Sequence, residues 1–446
     1  MGKIDRREFL RYTAAAGAGL LLARDRAPGA QKVQHRSASD ELNVGLIGAG
    51  AQGLVLMDAC LKIPNIRFHA VCDIWAAYNL RRAHRMLDKF GHKANAYEDY
   101  RLMLAKEKDL DAVIIATPDF WHAQQTVDCL QAGLHVYCEK EMSNTLEGAR
   151  RMVRAARSTG KLLQIGHQRR SNPRYLYCYG KLLKEAKILG RITTVNGQWN
   201  RSVQPDNGWP KGSLIEPAIL QKFGYASMRE FRNWRWYRRL GGGPIVDLGS
   251  HQIDIYNWFL GARPRSVVAS GGTDYYDRKT HEWYDCVLAT YEYETGSGKV
   301  RAFYQTIATN SNQGYYESFM GDQGTLLISE SGSRGGVYRE PTAPDWERWV
   351  SLGYLRAPVA EQKRQPSEGV LDVRETLAPP SHELPIKFDD PYHKPHLENF
   401  FNVVRGTGKL NCPAEVGYET AVTVLKVNEA VESGRKLLFD SREFTV

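Results

Sequence analysis

Residues 43–53 read NVGLIGAGAQG, a short apolar run that passes straight into glycines at positions 48, 50 and 53. In a G-x-G-x-x-G turn the chain leaves a buried strand, brings bare backbone close to a pyrophosphate, and enters a helix whose first N–H groups face the anion. Gly48, Gly50, Ala51, Gln52 and Gly53 are therefore expected to form a phosphate-binding turn. Alone, the fingerprint is weak, and its surroundings make it specific. A second strand, Arg67 to Cys72, ends at Asp73, 20 residues past Gly53. A carboxylate placed there accepts hydrogen bonds from the ribose hydroxyls of an adenosine. It also repels a 2′-phosphate, so NAD is expected over NADP, with Arg81 and Arg82 as the residues able to offset that repulsion. A helix N-cap role for Asp73 is compatible with this reading.

The same alternation continues through Leu110 to Pro118, Leu134 to Lys140 and Leu162 to Gly166, each an apolar strand followed by a helical stretch. Strands alternating with helices imply a doubly wound parallel sheet, with ligands gathered at the strand C-termini. Asp73, Thr117, Pro118, Glu139, Lys140 and Gly166 fall at such ends, and His122 begins the helix after Thr117. From Gly190 the pattern becomes extended. Ile192 to Trp199, Val267 to Gly271, Tyr284 to Tyr293, Val300 to Thr306 and Gly321 to Ile328 have strand composition. They suit an open, mainly antiparallel sheet with one face free for subunit packing. The 446 residues exceed what one hydrophobic core organises. The expected division is a leader and linker at 1–40, a Rossmann domain at 41–166, and an α+β domain at 167–446 for substrate binding and oligomerisation. The last helices, Leu397 to Val404 and Glu415 to Glu432, are expected to pack back on the first domain.

Asp5-Arg6-Arg7-Glu8-Phe9-Leu10-Arg11 is a twin-arginine run, and the mild apolar stretch from Ala14 to Ala23 is too short to span a bilayer. That pattern predicts export of an already folded protein to the periplasm or another extracytoplasmic space. No later segment has the length and apolarity of a membrane span. Half of the formal net charge of +10 lies in residues 1–36. The remaining basic bias is that of a solvated surface, and no nucleic-acid partner is expected. Seven scattered cysteines, odd in number and without C-x-x-C, suit buried free thiols in a chain that folds under reducing conditions. Neither a disulfide framework nor a metal site is indicated. A nucleotide-dependent enzyme sent away from the nucleotide pool must carry its cofactor along, so a non-exchanging NAD is expected.

From about Asn43 to the C-terminus the chain resembles the Gfo/Idh/MocA family, the glucose–fructose oxidoreductases, inositol dehydrogenases and their relatives. The likeness rests on the glycine fingerprint, Thr117-Pro118-x-x-x-His122, the Glu139-Lys140 pair, the run Gly166-His167-Gln168-Arg169-Arg170-Ser171-Asn172-Pro173, and the segment from Gly241 to Asp254. Where the family usually shows Glu-Lys-Pro, Glu141 stands in place of the proline and adds a carboxylate beside Lys140. Spacing alone puts Asp247 and His251 on one face of a short helix, and an N-cap aspartate with a core histidine would explain them equally well. The resemblance implies more: Lys140, Asp247 and His251 as the catalytic set, Arg170 near the substrate, and Gln168 and His122 touching nicotinamide or substrate. His251, titrating near neutrality, suits proton transfer. Lys140 would stabilise a developing alkoxide or exchange the proton itself. Asp247 would orient substrate hydroxyls and fix the histidine. Relatives differ over whether lysine or histidine is the base, and both stay open here. A surface ion pair would account for Arg170 as well.

Two stretches look like additions. Residues 204–239 interleave Trp209, Tyr225, Phe231, Trp234, Trp236 and Tyr237 with five arginines, an arrangement that suits stacking on sugar faces or an irregular loop with inward-packed aromatics. Residues 335–382 are polar and weakly patterned, as a lid, a partner-covering loop or a partly disordered segment would be. Tyr392, His393 and His396 precede the final helices without a carboxylate cluster to complete a metal site. The expected function is hydride transfer between a sugar, polyol or glycoside hydroxyl and a tightly held nicotinamide, in a homo-oligomer (dimer or tetramer). One alternative is an NAD-dependent glycosidase of the α-N-acetylgalactosaminidase-like kind, working by oxidation, elimination, hydration and reduction. A retained cofactor favours it, whereas the Glu-Lys pair and the D-x-x-x-H helix oppose it. A non-catalytic sugar-binding module is opposed by Lys140, Asp247 and His251 occurring together.

Overall fold

The computed structural model describes residues 40–358 and 381–446. The twin-arginine leader and residues 359–380 of the second addition lie outside the described residues. The first layer is a six-stranded, all-parallel sheet of β1 (Leu42–Ile47), β2 (Ile66–Cys72), β3 (Asn95–Tyr97), β4 (Ala112–Ile115), β5 (His135–Cys138) and β6 (Leu163–Ile165), in the order β3-β2-β1-β4-β5-β6. Every residue of β4 is buried, as expected of a strand covered on both faces by helices. Those helices are α1 (Ala51–Cys60), α2 (Arg81–Lys89), α3 (Tyr100–Lys106), α4 (Asp119–Gln131) and α5 (Leu146–Thr159). The order reverses between β1 and β4, and the crevice at their C-terminal ends is where such sheets bind ligands. The short β3 escapes the sequence reading because three residues carry too little periodicity. On α1, Val55 points outward at 49% exposure, while Leu56, Met57, Ala59 and Cys60 are buried.

The second layer is a nine-stranded sheet ordered β14-β13-β12-β11-β7-β10-β9-β8-β15. Its strands are β7 (Ile192–Asn200), β8 (Pro264–Gly272), β9 (Cys286–Thr295), β10 (Gly298–Ile307), β11 (Tyr315–Gly321), β12 (Gly324–Ile328), β13 (Gly335–Arg339), β14 (Ser381–His382) and β15 (Leu437–Leu438). β7 and β10 pair in parallel, and the other pairings are antiparallel. Burial along β9 and β10 alternates with a period of two, the mark of a sheet with one covered face. The remaining helices are α6 (Pro173–Tyr177), α7 (Pro217–Lys222), α8 (Met228–Arg232), α9 (Gly243–Leu260), α10 (Glu347–Ser351), α11 (Lys394–Val404) and α12 (Ala414–Ser433). α9 and α12 pack against each other and against the nine-stranded sheet.

α11 and α12 return to the parallel sheet, as the sequence predicts. Leu397, Phe400 and Phe401 join the core under β1 and β2, and the N–H of Ile165 donates to the carbonyl of Cys412 (2.9 Å). The 204–239 addition is not an irregular loop throughout, for it holds α7 and α8. Its Ile215, Leu220, Phe223, Tyr225 and Met228, with Leu240 just beyond it, form a small core around Trp75. The seven cysteines are free thiols, and all but Cys286 are buried. Among the described residues no helix is long and apolar enough to cross a membrane.

Candidate active site

The crevice beyond β1 and β4 opens into a cavity of about 580 Å³. At one end lies the glycine turn. Gly48 has φ +90°, and a Cβ there would stand 2.7 Å from the Ala116 carbonyl, so the turn between β1 and α1 admits only glycine. A Cβ on Gly53 would lie 1.9 Å from the oxygen of Gly48. That glycine therefore lets α1 close on the turn and does not itself line the cavity. The N-cap of α1, Gly50, offers no side-chain acceptor to the first-turn N–H groups, which are left for an anion. Asp73 Oδ2 accepts from the N–H of Ala49 (2.8 Å) and from Asn79 (3.2 Å), and Oδ1 accepts from the N–H of Trp75 (2.8 Å). Asp73 thus ties the turn down from the ribose position and does not cap a helix; burial raises its pKa despite these donors. These features fit a dinucleotide, with pyrophosphate at Gly50 to Gln52 and ribose at Asp73. Arg81 and Arg82 do not line this end, whereas Arg232 from the addition does, with its guanidinium 5.2 Å from the Trp75 ring.

Thr117, Pro118, Glu139 and Lys140, at or just past strand ends, line the cavity, and so does Gln168 from the turn after β6. The Gln52 amide donates to Glu139 Oε1 (3.2 Å) and to His393 Nε2 (2.6 Å). The Lys140–Glu141 peptide bond is cis. Lys140 Nζ donates to the carbonyl of Asp247 (2.5 Å) and to its Oδ1 (3.2 Å). The other carboxylate oxygen, Oδ2, accepts from Arg235 Nε (2.9 Å). Burial opposes the charged form of Asp247, yet Arg235 and Lys140 overcome it and hold the carboxyl well below the usual range. One turn on, His251 lines the same wall with its Nδ1 free of partners among the described residues. Trp199 lies against the His251 ring (5.5 Å) and stacks on Tyr315 (4.5 Å).

Both family models match. One, described as an NAD-binding Rossmann fold of the oxidoreductase family, covers residues 42–167, and its C-terminal alpha/beta domain covers 181–438. The chain belongs to the Gfo/Idh/MocA oxidoreductase family. It is 26% identical over 299 residues to inositol 2-dehydrogenase of Rubrobacter xylanophilus, spanning 66% of this chain and 73% of that protein. It is 29% identical to the rhizopine catabolism protein MocA of Rhizobium meliloti, spanning 52% of this chain and 62% of that one. Other curated relatives are matched over little more than half of their length, 57% and 58% in two cases. The fold follows that of the WlbA dehydrogenase of Chromobacterium violaceum, with a TM-score of 0.65 at 20% identity, covering 92% of this chain and 99% of that one.

Within this family site, several sequence expectations need correction. His122 does not reach the cavity. It is buried, its ring nitrogens sit 2.7 Å from the carbonyls of Glu141 and Thr117, and burial lowers its pKa to about 4. It braces the turn after β4. Arg170 is also absent from the cavity. Its guanidinium pairs with Asp254 (2.9 Å), lies over Trp258 (5.3 Å), and borders a separate outer cavity. His251 does not titrate near neutrality. Burial first, then Lys140 and Arg169, hold it neutral far below the usual histidine value. Asp247 fixes Lys140 and Arg235 and makes no hydrogen bond to His251 among the described residues.

Asp119, Glu330 and Arg235 are among the wall residues that sequence reasoning missed. Asp119, in the first turn of α4, is buried with Oδ2 unpartnered, and burial, then Asp247, raise its pKa to about 7. Glu330 accepts from Gln168 Nε2 (3.0 Å) and from Arg169 Nε (2.9 Å). Arg235 comes from the arginine-rich addition, whose composition was visible while its reach to Asp247 was not.

Proposed function

We propose that this chain is a nicotinamide-dependent oxidoreductase acting on a hydroxyl-bearing carbon of a sugar, polyol or glycoside, and that it is exported with its cofactor in place. The observation that carries the reading is the convergence of Lys140, Asp247 and His251 on one wall of the cavity whose far end holds the glycine turn and Asp73. A bound nicotinamide supplies the hydride acceptor that no side chain can. Lys140 has three N–H donors and uses two on Asp247, leaving one for an oxygen that gains charge as its proton departs. His251, neutral and unpartnered at Nδ1, is the imidazole on this wall to which that proton can pass as the charge develops. Asp247 keeps Lys140 aimed. Trp199, Tyr315, Trp236 and Tyr276 add aromatic surface to the cavity lining, which suits the C–H groups of a sugar ring. The similarity to an inositol 2-dehydrogenase supports a polyol-like substrate.

The test is the reduced-nicotinamide absorbance of the purified holoprotein as sugars and polyols are added. A lasting rise is expected with at least one of them. A transient rise accompanied by aglycone release would point to the glycosidase route, and silence with every compound would end the oxidoreductase reading. Lys140→Met and His251→Ala should each slow reduction by roughly 10²–10⁴-fold with cofactor still bound. Loss of cofactor or fold in both variants would reassign the two residues to structure.

A further inference from the structure

Trp199 is faced by two guanidinium groups of unlike circumstances. Arg169, 5.6 Å from the ring centre, is buried and ion-paired to both Glu317 and Glu330. Arg201, 5.3 Å from the same centre, makes no ion pair within hydrogen-bond reach of a carboxylate among the described residues, although it lines the cavity and its charge helps to hold the Asp247 carboxyl down. It is not a loose surface side chain. It stands two residues after Trp199, so both project to one side of the extended chain, and its own N–H donates to the carbonyl of Ile307 (2.7 Å). The ring beneath it is locked between Tyr315 and His251.

The charge balance of this wall points the same way. Lys140, Arg201 and Arg235 face the cavity, and Asp247 is the carboxylate that answers them, already engaged by Lys140 and Arg235. Asp119, a second acid of the lining, is held partly protonated by burial, and Glu139, beside Lys140, accepts from the Gln52 amide. Glu330 is committed to Arg169. A guanidinium stacked on an aromatic ring keeps its N–H edge free, and that edge matches an oxyanion bidentately.

We propose that the substrate oxidised at this site is an acidic sugar, and that Arg201, set over Trp199, binds its carboxylate or phosphate. The inference rests on the oxidoreductase reading above and narrows its substrate class. Matched probes test it: glucose against glucuronate and glucose 6-phosphate, and galactose against galacturonate, each followed by initial rate of nicotinamide reduction in the holoprotein. The acidic member of a pair is expected to exceed the neutral one at least tenfold in kcat/KM. Preference for the uronate identifies a carboxylate as the ligand, and preference for the 6-phosphate identifies a phosphate. Arg201→Leu should lower that acid-to-neutral ratio at least tenfold, mainly through KM, and Arg201→Lys should restore part of it. Neutral sugars turned over as well as or better than acidic ones would overturn the acidic-sugar proposal while leaving the oxidoreductase intact. So would an Arg201→Leu variant that slows both classes equally. No reduction by any probe of either class, with cofactor bound, would count against the oxidoreductase reading and remove this proposal with it.

Discussion

Glu141 shows how a single residue can work against the fold that contains it. Its side chain is fully buried, Oε1 accepts from the N–H of Met142 (2.8 Å), and Oε2 has no partner among the described residues. Burial raises its pKa from 4.5 to about 8, with Asp119 adding to the rise. The folded chain therefore binds this proton more tightly than the unfolded chain does. Its contribution to stability is complete below about pH 4.5 and is lost as pH climbs through 8. Glu141→Gln removes that dependence. Relative to the parent, the variant should gain on the order of 2–4 kcal/mol between pH 5 and pH 9. Denaturant titrations at the two pH values measure this, and a difference that does not change with pH would contradict it. Positions such as Glu139, Lys140 and Asp247 were legible in the chain because motif spacing marks them. Asp119, Arg201 and Arg235 were not, because their chemistry depends on what they face.

Among the elements, the 204–239 addition decides the shape of the cavity. Trp75, just past Asp73, is completely buried among the side chains of α7, α8 and their flanks, and its indole N–H donates to the carbonyl of Ser213. The addition is thereby anchored over the adenosine end while its other limb carries Arg235 to Asp247. Trp75→Ala removes the anchor and should cost about 3–5 kcal/mol. It should also expose 204–239 to proteolysis and weaken cofactor retention. Limited digestion with and without added NAD would show this, and an unaltered cleavage pattern would contradict it. The aromatic content of the addition was plain in the sequence. Its docking on Trp75 was not, since nothing local to residue 75 signals a partner more than a hundred residues away.

Across the whole molecule, the two sheets share one core. Ile115, Cys138 and Ile165 of the parallel layer belong to the same buried cluster as Ile245, Tyr256, Phe319 and Val424. The C-terminal segment stitches them further: Gln164 donates to the carbonyl of His396 (2.8 Å), and α12 packs on α5, α9 and β8. A continuous core and interleaved helices couple the layers, so unfolding is expected as a single transition by both far-ultraviolet circular dichroism and tryptophan fluorescence. Two separated transitions would show that the layers hold together independently.

The local order of residues was enough to specify the strand-turn-helix at Gly48, the carboxylate at Asp73, the parallel alternation to Gly166, the extended second layer, and the family. Each of these is written in short-range spacing and periodicity, which survive without knowledge of neighbours. Tertiary structure alone decided that His122 braces a turn, that Arg170 faces away, and that Asp247 answers Lys140 and Arg235 and makes no bond to His251. It also decided that Arg201 lies on Trp199. Those outcomes depend on burial and on pairings between distant segments, where desolvation and charge act through space and leave no trace in the order of the residues.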